Sequence, residues 1–89
     1  MSTYGERAVG LDFNPSGDPG VQKLKELFAQ IIDLCGAARQ TAIGEKARLW
    51  SIAITEAQGA QMWAVKAQTW REPDTKHSGL EIPQSRYGG

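Results

Sequence analysis

Between residues 18 and 71 the apolar positions repeat at helical spacing. Val21, Leu24, Phe28, Ile31, Cys35 and Ala38 follow one another at intervals of 3, 4, 3, 4 and 3, and Leu27, Ile32 and Leu34 widen the stripe. Lys23, Glu26, Gln30 and Asp33 fill the other side. This pattern predicts a helix over 18–41. Asp18 followed by Pro19 marks its start, because a carboxylate accepts first-turn N–H groups and proline has no N–H to leave unpaired. A second helix is predicted over 44–71. Gly44 is the turn residue between them, and so short a connection returns the second helix antiparallel to the first.

The second helix carries more apolar surface than one neighbour can cover. Ala53, Ala57, Ala60, Ala64 and Ala67 make a seam of small residues that permits close helix approach. A second stripe reads Leu49, Ile52, Glu56, Gly59, Trp63, Lys66 and Trp70, and Trp50, Ile54 and Val65 fall on a third side. Gln58, Gln61, Gln68 and a few charges are what keep the surface from being apolar all round. Each covered tryptophan buries roughly 150–250 Å², several kcal/mol at about 25 cal/mol/Å². A two-helix hairpin forfeits that energy unless other protomers cover the remaining faces.

The flanking segments differ. Residues 1–17 contain the alternation Val9, Leu11, Phe13 against Gly10, Asp12, Asn14, which predicts a short extended stretch, followed by the dense turn signal from Asn14 to Gly20. Residues 72–89 are polar, with Pro73, Pro83 and a Gly88-Gly89 end, and read as a flexible tail. The expected fold is all-α: an antiparallel two-helix hairpin with a short N-terminal extended segment, assembled into an oligomer, with residues 1–71 forming one domain.

Composition narrows the chemistry. At 89 residues and 9.7 kDa the chain is too short for a two-lobed enzyme, and domains this small lean on staples or partners. One cysteine and one histidine exclude an internal disulfide and a four-ligand structural zinc site within one protomer. Ten basic and ten acidic residues argue against tracking long DNA or RNA by counterion release. A basic start followed by an apolar signal run is missing from the sequence, as is a membrane-length apolar stretch, so a cytoplasmic protein is expected.

Catalysis finds little support. His77 lies in the polar tail, where nothing holds it for proton transfer. Cys35 sits on an apolar stripe without an electropositive neighbour to activate its thiol. Glycine-rich phosphate loops are absent, and no cofactor or metal is implied. Glu56 and Lys66 interrupt an apolar stripe, which is costly for charges unless they are paired or matched to a ligand. Either they pair between protomers, or the Lys66 stem snorkels to water, or Lys66 awaits a phosphate beside Trp63 and Trp70. Lys23 and Lys25 lie just after the start of the first helix, where free N–H groups favour an anion, and Phe13 can stack on a base. The same residues also fit a plain surface and a capped core.

Two segments resemble the small phage proteins of the nucleotide-sponge family, which counter the CBASS and Thoeris antiviral systems of bacteria. They are Gly5-Glu6-Arg7-Ala8-Val9-Gly10-Leu11 with Phe13-Asn14-Pro15-Ser16-Gly17-Asp18, and Ser51 to Gln58 with Ala60-Gln61-Met62-Trp63-Ala64-Val65-Lys66-Ala67. The resemblance spans about residues 5–71. It implies a helical hairpin, hexameric in the anti-CBASS members, that sequesters cyclic oligonucleotide messengers in the host cytoplasm without cleaving them. Cyclic dinucleotides would sit between protomers near the N-terminal segments, with Phe13 and Lys25 as counterparts of the family's aromatic residue and lysine, and cyclic trinucleotides at a separate junction near the second helix, where Lys66 matches a basic residue; Asn14, Lys23 and Trp63 complete the expected ligand-binding set. A Thoeris-directed relative would bind cyclic ADP-ribose isomers instead. Against all of these stands a purely structural helical oligomer or adaptor.

Overall fold

Thr3 opens a helix that the hydropathy pattern does not announce. Its hydroxyl accepts from the Glu6 N–H and the Glu6 carboxylate accepts from the Thr3 N–H, both at 3.0 Å, a reciprocal capping box. The resulting helix, α1 (Tyr4–Val9), ends at Gly10, whose φ of 64° is the left-handed conformation glycine adopts without strain. The expected extended stretch through Val9, Leu11 and Phe13 is thus corrected to a helix end and a turn. The Leu11 N–H donates to the Glu6 carbonyl and the Phe13 N–H to the Gly10 carbonyl. Alternation over five residues does not separate a strand from a helix terminus followed by a tight turn.

The computed structural model describes residues 2–72, and over these it contains three helices and no strand: α1, α2 (Pro19–Gln40) and α3 (Gly44–Gln68). α2 starts as predicted, with the Asp18 carboxylate accepting from the Gly20 N–H at 2.6 Å and Pro19 in its first turn. Three residues connect it to α3, and Gly44 takes the left-handed backbone at the turn, φ 60°. α3 ends at Gln68, three residues short of the predicted end, where Thr69 caps it. The predicted tail from residue 73 on, with His77, lies outside the described residues.

α2 is the central helix, packed by α3 and by α1. Val9 of α1, Ala29, Ile32 and Cys35 of α2 and Ile54 of α3 form the core, with Leu11, Phe28, Trp50, Ala53 and Ala57 against them. Cys35 is buried there as a small apolar residue. The seam α2 buries is Val21, Lys25, Ala29, Ile32 and Cys35, rotated from the predicted stripe, and Ile31 is left exposed. The rotation follows from two neighbours: α1 and α3 each take part of the helix surface, so burial tracks their shared groove rather than the centre of the apolar face. Gln61, expected on the surface, is buried on α3.

Ile31, Leu27 and Leu34 remain exposed on α2, and Leu49, Ile52, Met62, Trp63 and Trp70 on or just beyond α3. The protomer therefore leaves much of its large apolar surface bare, as the excess of apolar faces predicts.

α1 is fastened to α2 at one close approach. The Gly5 N–H donates to the Asp33 carboxylate at 2.7 Å, and a Cβ at Gly5 would overlap the Ala29 carbonyl oxygen. Gly5→Ala therefore forces the two helices apart and is expected to lower stability by about 1–3 kcal/mol, the usual cost of overpacking. Thermal unfolding measures it, and an unchanged melting temperature contradicts the close approach.

Candidate functional site

The turn after α1 is held down by one lysine. Lys25, on the buried side of α2, directs its ammonium to the Gly10 carbonyl at 3.0 Å and to the Phe13 carbonyl. Both acceptors belong to the segment that the left-handed Gly10 turns back over α2. The same ammonium lies 5.6 Å from the centroid of the Phe13 ring, within cation–π range, while the ring itself is 70% exposed. Lys25 thus fixes the backbone on both sides of the turn and presents the aromatic face outward.

Beyond Phe13 the chain ties itself in a second knot. The Asn14 amide donates to the Asp18 carbonyl at 3.2 Å, its oxygen accepts from the Ser16 hydroxyl at 2.9 Å, and that hydroxyl accepts from the Asp18 N–H. The Gln68 amide reaches the Asp18 carboxylate at 3.3 Å, joining the end of α3 to the start of α2. Phe13, Asn14, Pro15, Ser16, Val21, Lys25, Val65 and Thr69 enclose an open cavity of about 310 Å³. Its walls are largely apolar, with one cation at the side: a shape and chemistry suited to a flat aromatic group that carries negative charge.

Phe13, Asn14 and Lys25 of the predicted site therefore come together, with different tasks from those expected. Asn14 is engaged in shaping the loop. Lys25 is buried rather than displayed, whereas Lys23 is exposed and does not line the cavity. At the α2 N-terminus, where free N–H groups were expected to favour an anion, the Asp18 carboxylate accepts from the Gly20 N–H. Val65, expected only on a third apolar side of the second helix, and Thr69 floor the cavity; their signal as site residues is the four-residue spacing that places them on one face at the end of α3.

Trp63 and Lys66 form a second, separate feature. The Lys66 ammonium lies 5.6 Å from the Trp63 ring centroid and 6.0 Å from that of Trp70, and Gly59, Met62, Trp63 and Lys66 line a mostly apolar cavity of about 350 Å³. Glu56 is exposed one helical stretch away on the same face. The one salt bridge among the described residues is elsewhere, at the start of α3, where Arg48 holds the exposed Glu45 carboxyl below the usual carboxylate range. Among the described residues no cluster of His, Cys, Asp and Glu could hold a metal ion, and no helix is long and apolar enough to cross a membrane.

The Lys25 arrangement generates a direct test. Lys25→Met keeps the aliphatic stem and removes the donors, leaving the Gly10 and Phe13 carbonyls without their partner. The expected cost is about 1–3 kcal/mol. Hydrogen exchange at the amides of residues 10–17 should accelerate while that of the α2–α3 core stays slow. Unchanged protection in this segment contradicts the clasp.

No curated protein and no solved structure matches the chain. The family model described as Acb2/Tad1, hairpin domain, matches residues 6–69, well over half of the sequence. Those limits take in α1 from Glu6, the Lys25-held turn and both long helices. With the hairpin, the closed turn and the match over the same residues, the chain belongs to the Acb2/Tad1 hairpin family of phage nucleotide sponges that act against CBASS and Thoeris immunity.

Proposed function

We propose that this protein binds and holds, without cleaving, cyclic di- and trinucleotide messengers of CBASS immunity. The observation that supports it most is the placement of an exposed Phe13 ring and the Lys25 ammonium on one cavity. A base would lie on the ring, and a phosphate would compete with the two carbonyls for the lysine's donors. At about 310 Å³ the cavity is at the small end for a ligand site, so one protomer would enclose only part of a dinucleotide. A second protomer closing over Phe13 would complete it, which fits a homo-oligomer, a hexamer in the reading favoured here. A cyclic trinucleotide would go to a junction of protomers near Trp63 and Lys66. Lys23, on the outer side of α2, would add a long-range positive charge rather than a contact in the cavity.

Sequestration requires affinity that outcompetes a receptor at low messenger concentration, about nanomolar or 12 kcal/mol. A preformed turn helps, since ordering Phe13 is completed on folding rather than on binding. The polar groups that line the cavity do not suit attack on a phosphodiester: the Asn14 amide is engaged, the Ser16 and Thr69 hydroxyls donate to the Asn14 amide oxygen and the Val65 carbonyl, and Lys25 is an ammonium.

The protein is incubated with 3′,3′-cyclic dinucleotides, a cyclic trinucleotide and cyclic ADP-ribose isomers, filtered away, and then heat-denatured to release what it held. The expected result is depletion of a cyclic dinucleotide and a cyclic trinucleotide, each recovered intact, with saturating dinucleotide failing to displace the trinucleotide. Phe13→Ala should weaken dinucleotide retention at least tenfold, about 1.4 kcal/mol. Depletion of cyclic ADP-ribose isomers alone moves the reading to Thoeris. Recovery of hydrolysed product, or depletion of nothing, overturns it in favour of an enzyme or a structural oligomer respectively.

A further inference from the structure

The second half of α3 leaves the core behind. The helix packs into the core through Trp50, Ala53, Ile54 and Ala57, and beyond the buried Gln61 every residue up to Gln68 is exposed or half-buried. A helix end with so little packing opens easily, yet this one supplies Val65 and, just past it, Thr69 to the floor of the Phe13 cavity. Among the described residues, Gln68 makes the only side-chain hydrogen bonds that leave this half of the helix. Its amide donates to the two Asp18 carboxylate oxygens at 3.3 and 3.4 Å.

Asp18 is also where the opposite wall is tied. Its carbonyl accepts from the Asn14 amide, its N–H donates to the Ser16 hydroxyl, and its carboxylate accepts from the Gly20 N–H. One residue thus joins the loop wall, the start of α2 and, through Gln68, the cavity floor. Gly20 makes room for the link. Its backbone does not need glycine's left-handed range, and glycine is a poor helix former, but a Cβ there would overlap the Gln68 amide.

We propose that Gln68 and Gly20 are positioning residues for nucleotide binding. The Gln68–Asp18 bridge holds Val65 and Thr69 against the loop wall, and Gly20 leaves the space in which the bridge forms. Neither side chain lines the cavity, so both act on a ligand through its walls. A loosened floor lets a ligand out sooner, so the effect falls on dissociation. The inference rests on the nucleotide reading of the Phe13 cavity and adds the residues that keep its two walls together.

Three single changes break the bridge in different ways. Gly20→Ala pushes the flexible Gln68 amide aside while favouring the helix, Gln68→Leu removes the amide, and Gln68→Glu sets two carboxylates against each other. Adding Asp18→Asn to Gln68→Glu restores a donor, because asparagine caps a helix as well as aspartate does and its amide can bond the new carboxylate. With 3′,3′-cyclic GMP–AMP as the probe, each single variant should release it about threefold to tenfold faster than wild type, the range one hydrogen bond supplies. The double variant should recover most of the wild-type rate, and Gly20→Ala should melt no lower than wild type. In ligand-free protein, exchange of the Thr69 and Trp70 amides, which bond back to Val65 and Ala67, should quicken in the single variants. Wild-type release or exchange in the single variants, or a double variant no better than Gln68→Glu alone, overturns the proposal. Faster release confined to variants that melt below wild type assigns the effect to lost stability and also overturns it. Wild-type protein that retains no dinucleotide is a different failure: it overturns the nucleotide reading and, with it, the role of the bridge.

Discussion

The bond pair from the Lys25 ammonium to the carbonyls of Gly10 and Phe13 is the constraint on which the described structure turns. A lysine buried in a chain this small carries a desolvation cost, and it is tolerated because two oxygens meet the charge. Without that pairing the segment between α1 and α2 has little to hold it, for Phe13 is exposed and the loop otherwise bonds mainly to itself and to the start of α2. The clasp therefore does two things at once. It closes α1 and its turn over the central helix, and it fixes the position of the aromatic ring beside the charge that a bound phosphate would seek.

The hairpin's second property is incompleteness. Its core is a few side chains around Ile32, and large apolar residues on both long helices stay bare. For an isolated domain this is a liability; under the proposed function the same surfaces would serve both to join copies and to wall a ligand.

Much of this is legible in the residues. The two long helices follow from 3.6-residue periodicity, Asp18-Pro19 and Gly44, and the surplus of apolar faces on α3 is visible in its tryptophans. α1 is not visible by periodicity, being six residues long and dependent on capping. Its signal is the Thr3-x-x-Glu6 box and the following Gly10, against which the alternation of Val9, Leu11 and Phe13 points to an extended stretch. The buried seam of α2 departs from its apolar stripe for a related reason: with α1 packed beside α3, the groove between them selects Lys25 and Ala29 over Leu24 and Ile31. Phe13, Asn14 and Lys25 were identified as a group, but which of them faces a ligand and which shapes the loop depends on hydrogen bonds between residues as far apart as Gly10 and Lys25. Val65 and Thr69 joined the cavity only through the antiparallel return of α3.

The most direct measurement of the central claim is the side-chain ammonium of Lys25 itself. Lysine-selective nitrogen NMR of the ligand-free protein should show one Nζ resonance with slowed proton exchange, distinct from the solvated lysines and absent in Lys25→Met. A 3′,3′-cyclic dinucleotide should then shift that resonance as phosphate replaces a carbonyl. A Lys25 signal that exchanges as fast as the solvated lysines, and is indifferent to the nucleotide, would contradict the account at its base.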